Sequence, residues 1–222
     1  YNVEFYHVDP KTQVFDCDNV EKQALKFKPK SIISGGTAYP REINHKRMGE
    51  IAKKVGAYYM ADIAHEAGLV AAHVNKSPFN HADVVTMTTH KTLRGPRGAL
   101  IFSKKPMDEQ IDFSVFPGLQ GGPHMHTIAV IAITLDKTKT AQFKRYAEQV
   151  VRNAKTLAEE LKRGGLDLVS GGTDKHLVLI DLRGKDLNGW VVAWALEKAN
   201  IDTNRNTIPN DNGSPYYPSG LR

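Results

Sequence analysis

The decisive stretch of the chain is Val84-Val85-Thr86-Met87-Thr88-Thr89-His90-Lys91-Thr92-Leu93. Its β-branched run ends in small hydroxyl residues, a histidine and a lysine, which predicts a buried strand that stops abruptly. We expect this strand to carry Lys91 into the protein. Burial disfavours the charged amine and leaves a nucleophile that can form a Schiff base with an aldehyde. The alternative is a strand-end lysine whose ammonium group reaches the surface.

A second apolar strand is predicted upstream, in Ala57-Tyr58-Tyr59-Met60-Ala61-Asp62, with Asp62 at its end. In open α/β sheets, ligands bind beyond the carboxyl ends of strands, so both strands would deliver Asp62 and Lys91 to one edge. A pyridoxal phosphate site needs this pair, because the amine holds the aldehyde and the carboxylate keeps the ring nitrogen protonated. A helix N-cap is the alternative for Asp62. His65 could lie near the ring or be an ordinary core histidine.

Strands and helices alternate through the first part of the chain. Strands are predicted at residues 31–35, around Tyr58, from Val84 and at residues 99–102, with a helix at 42–55 and a helical run at 124–135. This alternation predicts an α/β fold whose mainly parallel sheet is covered on both sides.

The pattern changes near residue 138. A long amphipathic helix is predicted at residues 140–163, ending at Gly164-Gly165. Strands near 166–169 and 176–182 and a helix near 189–199 follow. We therefore predict a second, α+β domain over residues 139–222, after a first domain over residues 1–138.

Composition excludes several classes of protein. The 222 residues are 41% hydrophobic and 24% charged, as in ordinary globular domains. The net charge of +6 includes no block of five like charges, so neither nucleic acid nor membrane is a predicted partner, although a mildly basic site would suit an anionic cofactor. Cys17 is the only cysteine, which excludes an internal disulfide and fits a reducing compartment such as the cytoplasm. No apolar stretch reaches transmembrane length.

With these residues in view, the chain resembles the serine hydroxymethyltransferase family. The most specific segment is Thr88-Thr89-His90-Lys91-Thr92-Leu93, which is followed by Gly95-Pro96-Arg97-Gly98. Matching segments occur in the family's order at residues 61–65, 88–98, 116–123, 169–176, 206–211 and 219–222. They span essentially the whole chain. Met87 departs from the family's threonine run and puts only a peripheral polar contact in doubt.

The resemblance implies a fold-type-I pyridoxal-phosphate-dependent transferase. Residues 1–138 would be the later part of the large domain, and residues 139–222 a truncated C-terminal small domain. The implied reaction is the reversible conversion of L-serine and tetrahydrofolate to glycine and 5,10-methylenetetrahydrofolate. Because family members extend beyond both ends of this sequence, we expect residues 1–222 alone to be inactive. An organellar form stays open for the same reason.

The same resemblance implies the residues that hold the cofactor. Lys91 would bind it covalently, Asp62 would pair with its ring nitrogen, and His65 would lie near the ring. His90 would lie near the phosphate. Thr37 would contact the phenolic oxygen, for which a turn-stabilising threonine is the alternative.

Substrate contacts and an assembly are also implied. Arg222 would bind the carboxylate of the amino acid, for which a guanidinium supplies paired donors. Asn206 would contact the pterin of the folate, and Phe116 would line the same pocket. Gly122 would meet the cofactor phosphate of the neighbouring subunit, which implies a homodimer or tetramer with composite sites.

No metal is predicted, because His124 and His126 lack a carboxylate or a third histidine to complete a site. The closest rival function is another enzyme of the same fold, such as an aminotransferase or a glycine acyltransferase. Tetrahydrofolate-enhanced exchange of the glycine α-proton would discriminate between them.

A non-catalytic scaffold or RNA-binding derivative is a rival from a different class. The lysine and aspartate argue against it, and failure of the full-length protein to bind pyridoxal phosphate would favour it.

Overall fold

The computed structural model describes all residues from Tyr1 to Arg222. They form two compact units that interleave along the chain. The Lys91 unit comprises Cys17–Gly36 and Ile43–Glu148, and the Arg222 unit comprises Tyr1–Asp16, Thr37–Glu42 and Gln149–Arg222. The domain boundary near residue 138 stays a prediction. No helix is both long and apolar enough to cross a bilayer.

The Lys91 unit is built on a four-stranded sheet. Its strands are β1 (Ser31–Ser34), β2 (Tyr58–Asp62), β3 (Val84–Thr88) and β4 (Ala99–Ser103), in that spatial order. Strands β1, β2 and β3 are parallel and β4 is antiparallel to β3, which confirms the predicted mainly parallel α/β sheet. Strand β3 ends at Thr88, so Lys91 lies in the turn after the strand rather than at its last residue.

Helices flank these strands in the sequence. They are α1 (Cys17–Phe27), α2 (His45–Val55), α3 (Ala67–Ala71), α4 (Asp108–Phe113) and α5 (Met125–Thr138), with an irregular turn at Ser114–Leu119 in which Phe116 has an extended backbone. Helices α1, α3 and α4 were not predicted. The last two are too short to show a helical period, since one needs at least two turns to repeat.

Helix α2 shows how the local sequence sets its bounds. The Asn44 side chain accepts a hydrogen bond at 3.1 Å from the backbone N–H three residues later. This N-cap starts the helix at His45, three residues after the predicted start. Gly56 ends it in the left-handed conformation, with φ 71°. The predicted apolar face is buried and includes Met48 and Ile51.

A buried polar network fixes the strand that carries Asp62. The Tyr59 hydroxyl lies 2.7 Å from Ser34 Oγ and 2.7 Å from His45 Nδ1, and all three side chains are buried. The network joins β1, β2 and the first residue of α2. Satisfied buried hydrogen bonds stabilise one arrangement, because leaving any member unpaired would cost about 1–3 kcal/mol.

The Arg222 unit contains residues 149–163 of the long helix α6 and an antiparallel sheet. Besides this part of α6 (Ala141–Arg163), its elements are β5 (Asp167–Leu168), β6 (Ile180–Asp181), α7 (Gly189–Lys198), β7 (Arg205–Asn206) and β8 (Gly220–Leu221). The strands lie in the order β5-β6-β8-β7. The predicted strand at 176–182 was too long, because only Ile180 and Asp181 form strand pairs with β5 and β8.

Candidate active site

The Lys91 unit brings the ends of β2 and β3 together. Asp62 lies opposite Thr86 in the parallel register, and the Ile63 N–H donates to Thr86 O at 2.9 Å. The two strands that precede Asp62 and Lys91 are therefore neighbours with the same direction, as the sequence predicted. Their carboxyl ends open at one edge of the sheet.

Threonine hydroxyls tie the segments beyond these ends to each other. Thr88 Oγ1 donates to Ala64 O at 3.0 Å, and Thr92 Oγ1 donates to His65 O at 2.8 Å. Thr92 Oγ1 also accepts from the Gly68 N–H at 3.0 Å. A Cβ on Gly68 would lie 2.2 Å from Thr92 O, so only glycine permits this approach. The segment that carries His65 is thus held against the segment that carries Lys91.

A tight turn presents Lys91 itself. The Arg94 N–H donates to Lys91 O at 3.0 Å, and the Gly95 N–H donates to Thr89 O at 2.7 Å. Thr89 and Leu93 are buried on either side of the turn, whereas Lys91 is partly buried. The hydrogen-bonded turn therefore holds the Lys91 side chain in a partly buried position.

One carboxylate oxygen of Asp62 has no hydrogen-bond partner within the protein and could bind a ligand. Its Oδ1 accepts from the Ala64 N–H at 2.9 Å, and the structure gives its Oδ2 no hydrogen-bond partner. The side chain is exposed at the end of β2 and does not cap α3, which begins at Ala67. Gly35 lets the backbone approach closely, because a Cβ there would lie 2.8 Å from Asp62 Cβ.

Two buried polar atoms beside these residues lack a hydrogen-bond partner. They are Thr86 Oγ1, on the strand position opposite Asp62, and His90 Nδ1, next to Lys91. Unpaired buried polar atoms are uncommon because each costs free energy. Their position fits a polar cofactor bound at this edge, which an amine, a carboxylate and an imidazole could hold together.

The remaining predicted residues of the Lys91 unit are exposed. Phe116 is 60% exposed and has an extended backbone within the irregular turn at Ser114–Leu119. Gly122 is exposed, with open space where a Cβ would be. The His124 and His126 rings lie 5.5 Å apart, and no group of three potential metal ligands is present in the described chain. None of these four residues forms a hydrogen bond with the Lys91 turn.

The Arg222 unit brings Arg222 and Thr37 together. Arg222 Nη1 donates to Thr37 O at 2.7 Å, and Nη2 donates to Asn204 Oδ1 at 2.9 Å. Burial lowers the pKa of the Arg222 guanidinium from its ordinary value. The guanidinium has five N–H donors, so this arrangement leaves donors for a ligand. Two hydrogen bonds therefore anchor the Arg222 side chain within this unit.

Asn206 lies beside Arg222 in the same sheet. It is the last residue of β7 and pairs with Gly220 of β8, two residues before Arg222. Thr37 is exposed, and its backbone carbonyl makes the contact with Arg222. Asn206, Thr37 and Arg222 are therefore held near one another within the unit.

Together these features define a class of protein. A mainly parallel α/β sheet, with an aspartate at the end of one strand and a lysine just beyond the end of its neighbour, is the arrangement of fold-type-I pyridoxal-phosphate-dependent transferases. The family model of serine hydroxymethyltransferase matches residues 1–222. The chain belongs to the serine hydroxymethyltransferase family of one-carbon transferases, which use pyridoxal phosphate and act on serine, glycine and folate.

The sequence did not reveal the residues whose hydrogen bonds hold the site-bearing segments in place. Thr88 and Thr92 lie in the decisive stretch, but the sequence does not show which carbonyl each hydroxyl reaches. Asp211 lies in the segment 206–211 and was given no role. Its position before a glycine and a serine was the available signal, because short acidic side chains often bond backbone N–H groups in turns.

Proposed function

We propose that the protein catalyses the pyridoxal-phosphate-dependent, reversible conversion of L-serine and tetrahydrofolate to glycine and 5,10-methylenetetrahydrofolate. The observation that carries this proposal is the hydrogen-bonded junction of the segments bearing Asp62, His65, His90 and Lys91. Two buried polar atoms at this junction, Thr86 Oγ1 and His90 Nδ1, have no hydrogen-bond partner. The chain also belongs to the serine hydroxymethyltransferase family.

Five residues of this chain would hold the cofactor. Lys91 binds it covalently through the amine, and Asp62 pairs with the ring nitrogen through its free Oδ2. His65 would lie by the ring, His90 would offer Nδ1 to the phosphate, and Thr37 would contact the phenolic oxygen. When bound, pyridoxal phosphate supplies an electron sink for the substrate carbon. The carboxylate of Asp62 sustains that property by keeping the ring nitrogen protonated.

Three further residues would bind the substrates. The unused donors of Arg222 bind the amino-acid carboxylate in a paired arrangement. Asn206 hydrogen-bonds the pterin of tetrahydrofolate, and the exposed Phe116 ring lines the pocket for it. Binding the carboxylate at a fixed point would limit the orientations that the bound amino acid can adopt.

The assembly we propose is a cytoplasmic homodimer or tetramer in which Gly122 meets the cofactor phosphate of the neighbouring subunit. Helix α5 supports an assembly, because its only buried side chain is Thr134. Its apolar residues Met125, Ile128, Val130 and Ile133 are 45% to 66% exposed. Apolar surface of this kind is characteristic of protein interfaces. Sedimentation of the full-length protein would report the state directly.

The experiment that tests the function is serine cleavage by the full-length protein, loaded with pyridoxal phosphate, with and without tetrahydrofolate. We expect glycine to form, and we expect tetrahydrofolate to accelerate both cleavage and exchange of the glycine α-proton. Transamination of serine without any effect of tetrahydrofolate would instead assign the protein to another activity of the same fold.

A further inference from the structure

Asp211 is the hydrogen-bonding centre of the loop 207–219, which connects β7 to β8. Its Oδ1 accepts hydrogen bonds from the Gly213 N–H at 2.7 Å and from the Ser219 hydroxyl at 2.7 Å. Its Oδ2 accepts from the Ile208 N–H at 3.2 Å and from the Ser219 N–H at 2.9 Å. One carboxylate therefore ties the start of the loop to its last residue.

The contacts continue from this loop into Arg222. Ser219 O accepts from the Leu182 N–H at 2.9 Å, and β8 then pairs with both β6 and β7. The Arg222 N–H and C=O bond the Asn204 backbone at 2.8 and 2.9 Å. The course of β8, and with it the direction of the Arg222 side chain, is set from Ser219 onward.

The loop has little room for another arrangement. A Cβ on Gly213 would lie 2.5 Å from Tyr217 O, and one on Gly220 would lie 2.4 Å from Ile208 Cγ2. Ile208 is buried in a cluster against which Ala38 packs. Ala38 follows Thr37, whose carbonyl accepts the Arg222 hydrogen bond. The loop therefore packs against the segment that carries the acceptor and also leads into the strand that carries the donor.

The charge of Asp211 suits this role. Burial raises the pKa of the Asp211 carboxyl, but the hydrogen bonds from Ser219, Gly213 and Ile208 together outweigh it and hold the pKa below its ordinary value. The ionised carboxylate accepts from all its donors. An asparagine could not, because its NH₂ group would face backbone N–H groups.

We propose that Asp211 is a positioning residue for the amino-acid substrate: by closing the loop 207–219, it holds β8 in the register that presents Arg222 to the substrate carboxylate. This inference rests on the proposed function, in which Arg222 binds that carboxylate. Asp211 itself touches neither substrate nor cofactor.

The test is Asp211→Asn in the full-length holoenzyme, with Asp202→Asn as the control at an exposed aspartate of the same unit. Affinity is measured by calorimetry for serine and for ethanolamine, an amine without the carboxylate. We expect serine to bind about tenfold more weakly, the effect of losing one good hydrogen bond to a charged group, and ethanolamine to bind unchanged. Amide hydrogen exchange at Gly213 and Ser219 should accelerate.

A combined variant separates positioning from general damage. If Asp211 acts through Arg222, adding Asp211→Asn to Arg222→Lys should cause no further loss of serine affinity. Equal losses for serine and ethanolamine, or unchanged serine affinity, would overturn the proposal. If Asp211→Asn does not fold, Ser219→Ala removes one of the same hydrogen bonds and carries the same test.

Different results would refute the proposed function and the role of Asp211. A wild-type protein that does not cleave serine would refute the proposed function. A wild-type protein that cleaves serine, with an Asp211→Asn variant that binds it normally, would refute only the role of Asp211.

Discussion

Arg222 is anchored within the protein by the Thr37 carbonyl and the Asn204 side chain, at 2.7 and 2.9 Å. These contacts use one N–H of each terminal nitrogen and leave the other donors of the planar group unused. A guanidinium fixed in this way loses little conformational freedom when it binds a carboxylate, which favours affinity. Lysine has neither the fork nor the second anchor.

We therefore predict that Arg222→Lys weakens serine binding by about 1.5–3 kcal/mol, the range for hydrogen bonds to charged groups. Binding of pyridoxal phosphate to Lys91 should persist. Titration of serine against the visible absorption of the cofactor measures the effect. Arg205→Lys, at an exposed position of β7, is the control and should bind serine normally. Unchanged affinity in Arg222→Lys would remove Arg222 from the substrate site.

At the scale of the elements, the turn after β3 depends on hydroxyl groups rather than on the strand alone. Thr92 is buried, and its hydroxyl donates a hydrogen bond to the His65 carbonyl while it accepts one from the Gly68 N–H. Valine has nearly the same shape but would leave both backbone groups unpaired in a buried place. A contact of this kind holds the site segments in register after the sheet has ended.

Thr92→Val should therefore lower the free energy of unfolding by about 2 kcal/mol or more, because each unpaired buried group costs about 1–3 kcal/mol. Urea unfolding of the full-length protein without cofactor measures it. Thr207→Val, at an exposed threonine, should change stability by no more than about 0.5 kcal/mol. A Thr92→Val variant as stable as the wild type would show that these hydrogen bonds contribute nothing net.

Much of the element pattern could be predicted from the sequence, because local periodicity and capping residues determine it. The parallel strands and the helix ending at Gly164-Gly165 are examples. The length of β6 could not be predicted, since it depends on which neighbours pair with residues 176–182. The roles of Thr92 and Asp211 depend on partners brought together only by folding. The resemblance named Lys91 and Arg222, but only the structure shows what holds each in place.

At the scale of the whole molecule, both units expose apolar side chains. In the Lys91 unit these include Ile128 and Ile133 of α5, and in the Arg222 unit Trp190 and Trp194 of α7. Exposed apolar patches favour association. Strand β1 is also an edge of its sheet, where unpaired backbone groups can recruit another strand.

We predict that residues 1–222, expressed alone, self-associate, bind pyridoxal phosphate weakly and do not convert serine to glycine. Light scattering and a serine turnover assay beside the full-length protein would check this. Ile133→Glu should reduce the association, because a charge on the exposed face of α5 resists burial. A monomeric preparation with turnover comparable to the full-length protein would contradict the prediction and the composite-site assembly.

The most direct test of the central claim is to identify the lysine that binds the cofactor. Full-length protein loaded with pyridoxal phosphate is reduced with borohydride, digested, and mapped by mass spectrometry. We expect a single adduct on Lys91, which is lost in Lys91→Ala and retained in Lys53→Ala, a control at an exposed lysine of α2. A stable adduct on any other lysine, or one that survives in Lys91→Ala, would contradict the site at the ends of β2 and β3.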